Sequence, residues 1–312
     1  SILKETSSNE TRVASTPESI KLLIKSGAEV IVEKGAGNEA GYLDAEFISA
    51  GAKITERFEC LQKGDICLTV RMPSNKDIYK LKTSCILIGM LNPYQNKNLL
   101  DDLNKQKITS CCLELLPRIS RAQNMDVLSS QSNLAGYRSV IDAAEQYNKV
   151  FPMMMTAAGR INPVKVMVLG AGVAGLQAIA TARRLGAVVC ATDVRLATKE
   201  QVESLGAKFI MVEDEESRQA ETSGGYAKEM SEEYKRKQSQ LLSDTISKQN
   251  IVISTALIPG KVAPVLVTPE MVETMSPGSV IVDLAVEAGG NCPLSKIGEI
   301  VFYKGVKIIG YD

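Results

Sequence analysis

The sequence predicts an α/β chain of two doubly wound parallel-sheet domains joined by a long helix. Three observations predict it. Short, β-branched apolar runs alternate with helix-compatible segments along most of the chain, the pattern of a parallel sheet with helices on its faces. A length of 312 residues suits two domains better than one. Between the two alternating halves, residues 129–147 contain no Pro and place Leu134, Tyr137, Val140, Ile141 and Ala144 close to helical spacing. The expected division is therefore an N-terminal α/β domain over 1–128, a bridging helix over 129–149 and a second α/β domain over 150–312.

In the first domain, the apolar runs 29–33, 65–70 and 85–89 read as buried strands. Residues 17–26 read as a helix with Thr16 as N-cap and Pro17 at the first helical position, ended by Gly27. Residues 97–107 read as another helix, and 111–116 as a strand that runs into a polar loop. In the second domain the strand candidates are 165–169, 188–192, 208–212, 250–254, 279–283 and 306–309. Helices are expected over 174–185, 195–205, 228–247 and 269–275. In such a sheet the ligand crevice lies at the carboxyl ends of the strands, here expected to face the first domain.

The segment Lys165-Val-Met-Val-Leu-Gly-Ala-Gly-Val-Ala-Gly175 carries the strongest signal. An apolar strand enters Gly170-x-Gly172-x-x-Gly175, a helix follows at once, and a second strand ends in Asp193, 21 residues after Gly172. That is the order a Rossmann-like dinucleotide-binding unit needs. Gly170 permits the tight turn. Gly172 lets backbone approach a pyrophosphate seated on the helix N-terminus, next to Val173. Gly175 lets the helix pack on the strand. A carboxylate at Asp193 can accept the adenosine ribose hydroxyls and repels a 2′-phosphate, so the expected cofactor is NAD(H) and not NADP(H).

Composition narrows the classes. Thirty-six Lys and Arg balance thirty-six Asp and Glu, which argues against nucleic acid as a main partner. No apolar run approaches the ~20 residues that span a bilayer. The start, Ser1-Ile-Leu-Lys-Glu5, is not a signal peptide and lacks an initiator Met, which reads as a processed or excised chain. The seven Cys are an odd number with no CxxC pair, which suits a reducing compartment and buried small apolar side chains. No metal site is expected. There is no His. Oxidation of an alcohol or amine moves a proton as well as a hydride, and His is the commonest group for that work. Hydride passed directly between two nicotinamides moves no proton, and this composition fits that chemistry without requiring it.

Four further stretches can carry chemistry. Pro117-Arg118-Ile-Ser-Arg121-Ala-Gln123-Asn-Met-Asp126 crowds cations, an amide and a carboxylate behind a strand; a salt-bridged surface loop is the plain alternative. The strand over 251–254 ends in Ser254-Thr255-Ala256-Leu257, where Thr255 and Ala256 face the cofactor side of a doubly wound sheet and Leu257 continues the same turn. The strand over 279–283 ends at Asp283, followed by Gly289-Gly290-Asn291, whose backbone suits close approach to a ligand. Residues 213–229 form a long acidic connection with Gly224-Gly225-Tyr226, either a lid or a solvated insertion.

Several of these stretches together resemble one family. Arg118-Ile-Ser-Arg-Ala-Gln123-Asn-Met-Asp126-Val-Leu-Ser-Ser-Gln-Ser-Asn-Leu-Ala-Gly-Tyr-Arg, the glycine fingerprint, Glu-Gln-Val-Glu-Ser-Leu-Gly-Ala-Lys, Gly-Gly-Tyr-Ala-Lys and Thr-Ala-Leu-Ile-Pro-Gly-Lys resemble the NAD(H)-binding component, domain I, of the proton-translocating, Re/Si-specific nicotinamide nucleotide transhydrogenases. The resemblance covers nearly the whole chain, and 117–137 is its most specific part. It implies that Arg118, Gln123 and Asp126 position the nicotinamide and its ribose, with Ser129 close by. It implies that Gln123 also orients the partner's nicotinamide and that Tyr226 closes over bound nucleotide. It further implies direct hydride transfer from NADH to NADP⁺ on a partner domain III, proton movement through a membrane domain II, and a homodimer. The chain would then be a soluble domain of a membrane enzyme, on the cytoplasmic or organelle-matrix side.

The sequence departs from the whole enzyme in having no membrane spans and no second nucleotide domain. It stops at Gly310-Tyr311-Asp312, where the family's first domain continues through a closing segment, so the last residues are candidates to return to the first domain. The architecture also resembles alanine dehydrogenase, which uses a Lys and a His in its first domain. Here Arg71 stands in Val70-Arg-Met-Pro73 and no His follows in Ile88-Gly-Met-Leu-Asn92. Arg stays protonated near neutral pH and cannot serve as a base. A silent NAD(H)-binding regulatory module is a third reading, against which the polar loop around Gln123 argues.

Overall fold

Thr16 and Pro17 start the first helix where the sequence places it. In the computed structural model, which describes residues 1–117, 119–212, 231–258 and 260–311, α1 (Pro17–Lys25) is capped by the Thr16 hydroxyl accepting from the Ser19 amide at 3.3 Å. Arg118, Tyr226 and the acidic connection over 213–229 lie outside the described residues. The chain divides into two units, Ser1–Leu128 and Ser129–Asp312.

In the first unit, β1 (Ile31–Glu33), α2 (Asp44–Ser49), β2 (Lys53–Thr55), α3 (Arg57–Lys63), β3 (Ile66–Leu68), α4 (Asn75–Ile78), β4 (Ile86–Gly89), α5 (Lys97–Lys105) and β5 (Thr109–Cys112) follow in order. β1 pairs with β2, and β3–β4–β5 form a second ladder, all parallel. Ile2 forms parallel bridges to both Val32 and Leu68, so the first residues fill the gap between β1 and β3. The side chains of Ile2 and Leu3 then enter different clusters, one with Val32 and Phe47, the other with Leu61, Leu87 and Leu103, as alternation along an extended segment requires.

The sequence reading misses this first segment because so few residues show no period. It also misplaces one strand. The expected strand at 111–116 is β5, which begins and ends earlier in the chain, and Leu113–Leu115 form a 3-10 turn. β5 is the end strand of its ladder, so Thr109 and Ser110 can be polar and exposed, and the apolar run that follows is not strand.

The second unit holds α6 (Val127–Gln146) from Ser129 onward. Then come β6 (Met154–Thr156), β7 (Gly159–Ile161), β8 (Lys165–Leu169), α7 (Val173–Arg184), β9 (Val188–Thr192), α8 (Lys199–Ser204), β10 (Lys208–Phe209), α9 (Glu232–Ile246), β11 (Ile251–Ser254), α10 (Pro269–Glu273), β12 (Val280–Asp283), β13 (Ile300–Tyr303) and β14 (Val306–Ile309). The main sheet runs β10-β9-β8-β11-β12-β14-β13, parallel except for β13 against β14. Strand order reverses between β8 and β11, the switch point of a doubly wound sheet.

Its strands are apolar on both faces because both faces are covered. Val166, Val168, Ile251 and Ile253 meet α7 through Ala178, Ile179 and Ala182, and α6 through Val140 and Ala143. Met167, Leu169, Val252 and Ile281 meet α9 and α10 through Leu242, Ile246, Met271 and Val272. Truncating one such residue to Ala typically costs about 2–5 kcal/mol. From Ser129 on, the expected connector is thus part of this unit's core. Residues up to Tyr311 group with this unit, where β13 and β14 form a hairpin on the sheet edge. The expected strand at 208–212 shortens to two residues, at the other edge.

Candidate nucleotide-binding site

The carboxyl ends of β8, β9 and β11 meet at the glycine turn. Leaving β8, Gly170 takes φ +97°, a conformation an L side chain rarely adopts. Its amide donates to the Thr192 carbonyl of β9 at 2.9 Å. Gly172 is the N-cap of α7, and a Cβ built on it meets nothing within 4 Å. Gly175 is the opposite case: a Cβ there would run into the Gly170 carbonyl oxygen. Gly175 is therefore what lets α7 lie close on β8, while Gly172 leaves open space in front of the helix. The first intrahelical bond is Leu176 N–H to the Gly172 carbonyl at 2.8 Å, so the amides of Val173, Ala174 and Gly175 precede it. Such orphan donors at the positive end of a helix dipole bind anions. The first turn carries no acidic residue and the last turn carries Arg183 and Arg184, which keeps the dipole available.

Asp193, buried at the end of β9, faces this turn. Its Oδ2 accepts from the Ala171 amide at 2.8 Å. Its Oδ1 accepts from the Arg195 amide at 2.9 Å, and the Arg195 guanidinium bridges both oxygens at 2.9 and 2.8 Å. Four donors thus fill the acceptor positions of the carboxylate. Arg195 is a participant that the sequence reading missed; its i+2 spacing from Asp193 at a strand end was the available signal.

On the other side of the switch point, the Thr255 amide donates to the Leu169 carbonyl at 2.8 Å, and its hydroxyl reaches the Leu169 and Gly170 carbonyls at 3.2 and 3.1 Å. Thr255 fastens β11 to the glycine turn. Ala256 is held by Asn291: the Ala256 amide donates to Asn291 Oδ1 at 3.0 Å, and Asn291 Nδ2 donates to the Ala256 and Pro264 carbonyls at 2.9 and 2.8 Å. The single N–H of Ala256 is therefore taken, while its methyl and the second lone pair of its carbonyl are not. Leu257 is exposed beside it.

Asn291 is itself anchored. Its amide donates to Oδ1 of the wholly buried Asp283 at 3.1 Å, and that carboxylate also accepts from the amides of Ala285 and Cys292 and the hydroxyls of Ser254 and Ser295. Gly290, at φ +82°, lies against Asp283: a Cβ there would stand 2.8 Å from Oδ2. The Gly289-Gly290-Asn291 run thus wraps a buried carboxylate. Cys190 and Cys292 are buried, and burial pushes both thiols up to about 11, so neither supplies a thiolate here. Among the described residues no group of His, Cys, Asp and Glu could hold a metal ion.

The glycine turn, Val173, Asp193, Thr255, Ala256 and Leu257 are therefore brought together in the second unit. Ser129 lies in the same unit, partly buried near the start of α6. Gln123 and Asp126 belong to the first unit. Gln123 is exposed on a 3-10 turn, Ser120–Met125, anchored by buried Ala122, and its carbonyl accepts from the Asp126 amide at 3.2 Å.

Known proteins with the same two-part organisation are close in sequence and in structure. The family model described as "Alanine dehydrogenase/PNT, N-terminal domain" matches residues 1–135, and "Alanine dehydrogenase/PNT, C-terminal domain" matches 139–312. The chain is 55% identical over 316 residues to an NAD(P) transhydrogenase subunit alpha polypeptide of Rhodospirillum rubrum, covering 99% of this chain and 82% of the relative. The crystal structure of transhydrogenase from Sinorhizobium meliloti superimposes with a TM-score of 0.91 at 50% identity, over 99% of this chain and 84% of that one. An L-alanine dehydrogenase structure shares the fold, with a TM-score of 0.82 at 24% identity over 99% of this chain and 81% of that one.

Proposed function

This chain belongs to the alanine dehydrogenase/PNT family, and on that premise we propose that it is the NAD(H)-binding component of a proton-translocating transhydrogenase. NADH held on the second unit would give its hydride directly to NADP⁺ held on a partner domain III, with a membrane domain II carrying the protons. The observation that carries the reading is the glycine turn, with open space at Gly172, unpaired helix amides behind it and a carboxylate fixed beside it.

The amides of Val173, Ala174 and Gly175 would hold the pyrophosphate, and Asp193 the adenosine ribose. A ribose hydroxyl would replace one of the Arg195 bonds on that carboxylate. Thr255, Ala256 and Leu257 would border the nicotinamide half. The family motif assigns Arg118, Gln123 and Asp126 to orienting the nicotinamide, Ser129 to its vicinity and Tyr226 to closing over the nucleotide. The bound dinucleotide supplies a hydride from its dihydronicotinamide ring, and the protein's share is placement, which needs no proton-transfer group. The absence of His is consistent with that division of labour.

Amino-acid oxidation on the same fold is less well supported. Arg71, at the strand end where the alanine dehydrogenase pattern has Lys, bonds Glu10 at 3.0 Å, and Arg12 bonds the same carboxylate at 2.6 Å. Both guanidiniums meet an anion already present.

Among the described residues no helix is long and apolar enough to cross a membrane; we propose that the chain works on the cytoplasmic or organelle-matrix side of the membrane domain. We also propose a homodimer. The β6–β7 hairpin carries Met154, Met155 and Ile161 exposed, Met155 at 72%, and such surface favours a second copy. Sedimentation equilibrium returning a monomer at tens of micromolar would reject this.

The test of function mixes the chain with a purified NADP(H)-binding transhydrogenase component and follows hydride transfer from NADH to an oxidised nucleotide analogue. Gln123→Asn should keep NADH affinity but slow transfer by about 100-fold, because a shortened amide misplaces the reacting rings. Tight NADH binding without transfer would point to a regulatory module instead, and NADH formation from L-alanine to a dehydrogenase.

A further inference from the structure

The cofactor site proposed above has two sides, and only one is explained by the glycine turn. Asp193 on β9 marks the adenosine side, and the pyrophosphate belongs at the start of α7. A dinucleotide lying across the switch point therefore extends its nicotinamide half over the ends of β11 and β12. There the backbone of Thr255–Leu257 leaves the sheet with no helix of its own to fix it.

What fixes it is one side chain. The carboxamide of Asn291 bonds both the N–H and the C=O of Ala256, as a neighbouring strand would, and also the Pro264 carbonyl. The main-chain carbonyl of Asn291 accepts from Leu266 and Val267 at 2.9 and 3.0 Å. Asn291 is wholly buried, and losing its side chain would leave the Ala256 N–H and C=O and the Pro264 carbonyl without these partners. Behind it, Asp283 receives five donors and joins the end of β12 to Ser254 at the end of β11. Ser254, Asp283 and Asn291 are all wholly buried, and polar groups satisfied in the interior specify one geometry.

We propose that Asn291, seated on Asp283, is a positioning residue for the nicotinamide half of the bound dinucleotide. It holds the backbone at Ala256 and at Pro264 and thereby sets where Ala256 and Leu257 meet the ring. The proposal rests on the NAD(H) reading given above. It separates the two halves of the ligand: Asn291 serves the β11–β12 side, and the Asp193 side is independent of it.

The experiment uses the full chain with Asn291→Ser and Asn291→Asp, titrated with NADH by fluorescence and with AMP by calorimetry. Val202→Ala, at the buried core residue of α8, serves as a control for general loss of stability. Both Asn291 variants should lose NADH affinity by about tenfold, the scale of one lost contact on the nicotinamide side. AMP, which carries only the adenosine half, should bind within about twofold of the unmodified chain; the control should bind both ligands normally despite a lower melting temperature. Equal losses for NADH and AMP, or no loss for either, would overturn the proposal, and so would failure of both variants to fold at 10 °C, which would assign the network to stability alone. If the unmodified chain itself does not bind NADH, the cofactor reading fails and not merely this refinement.

Discussion

Replacing Gly172 and Gly175 by Ala, one at a time, separates binding from folding at the glycine turn. Both positions have negative φ, so neither substitution is strained by its backbone. Ala at an N-cap is worse than Gly by up to about 1 kcal/mol, and the loss of unfolded-state entropy returns about 0.4–1 kcal/mol. Gly172→Ala should therefore leave stability nearly unchanged, because its methyl enters open space. That methyl would occupy the approach path of a pyrophosphate. Losing one charge-assisted amide bond of about 1.5–3 kcal/mol predicts NADH affinity weaker by about 10- to 100-fold.

Gly175→Ala gains about 0.5–1 kcal/mol of helix propensity. Its methyl, however, meets a backbone carbonyl that is itself fixed by Thr255, so α7 must lift off β8. Overpacking of this kind costs about 1–3 kcal/mol and more where backbone must move. At about 2–4 °C per kcal/mol, a net loss near 3 kcal/mol lowers the melting temperature by about 6–12 °C. Thermal melts by circular dichroism and NADH titration read the two effects. Equal destabilisation of both variants, or full NADH affinity in Gly172→Ala, would refute the reasoning.

In the first unit, Glu10 gives a pH test. Burial pushes its carboxyl upward, but the hydrogen bonds and charge of Arg12, reinforced by Arg71, outweigh this and hold it down at about 2. The native state thus binds the proton less readily than the unfolded chain, with its ordinary value near 4.5. The stabilisation is present above pH 4.5 and is lost as pH falls toward 2. The guanidiniums are about one-third exposed, and solvent screening reduces the contribution to about 1–2 kcal/mol. Glu10→Gln should be less stable than the unmodified chain by that amount at pH 7 and equal to it near pH 2, measured by urea midpoints; a gap independent of pH would contradict this.

The second unit was largely legible because its strands are buried on both faces. Burial on both sides demands uninterrupted Val and Ile, which a sequence displays directly at 165–169, 251–254 and 280–283. Its glycine turn was legible for a related reason: each glycine answers a different steric demand, and three such demands at fixed spacing leave few other readings. The first unit was less so. Its strands are three or four residues long, too short for a period to emerge, and Ile2 joins the sheet through two bridges alone.

The polar connections of the site were the least legible part. Thr255, Asp283 and Asn291 are ordinary residues at strand ends and in a connection; their importance comes from being wholly or largely enclosed, and burial of a polar residue is set by tertiary packing rather than by neighbours in sequence. The Gly-Gly-Asn run makes the point. Flexible backbone suggested a ligand, whereas the space beside Gly290 is filled by the Asp283 carboxylate. A glycine announces close approach by something, and only the fold decides whether that something is a ligand or the protein itself.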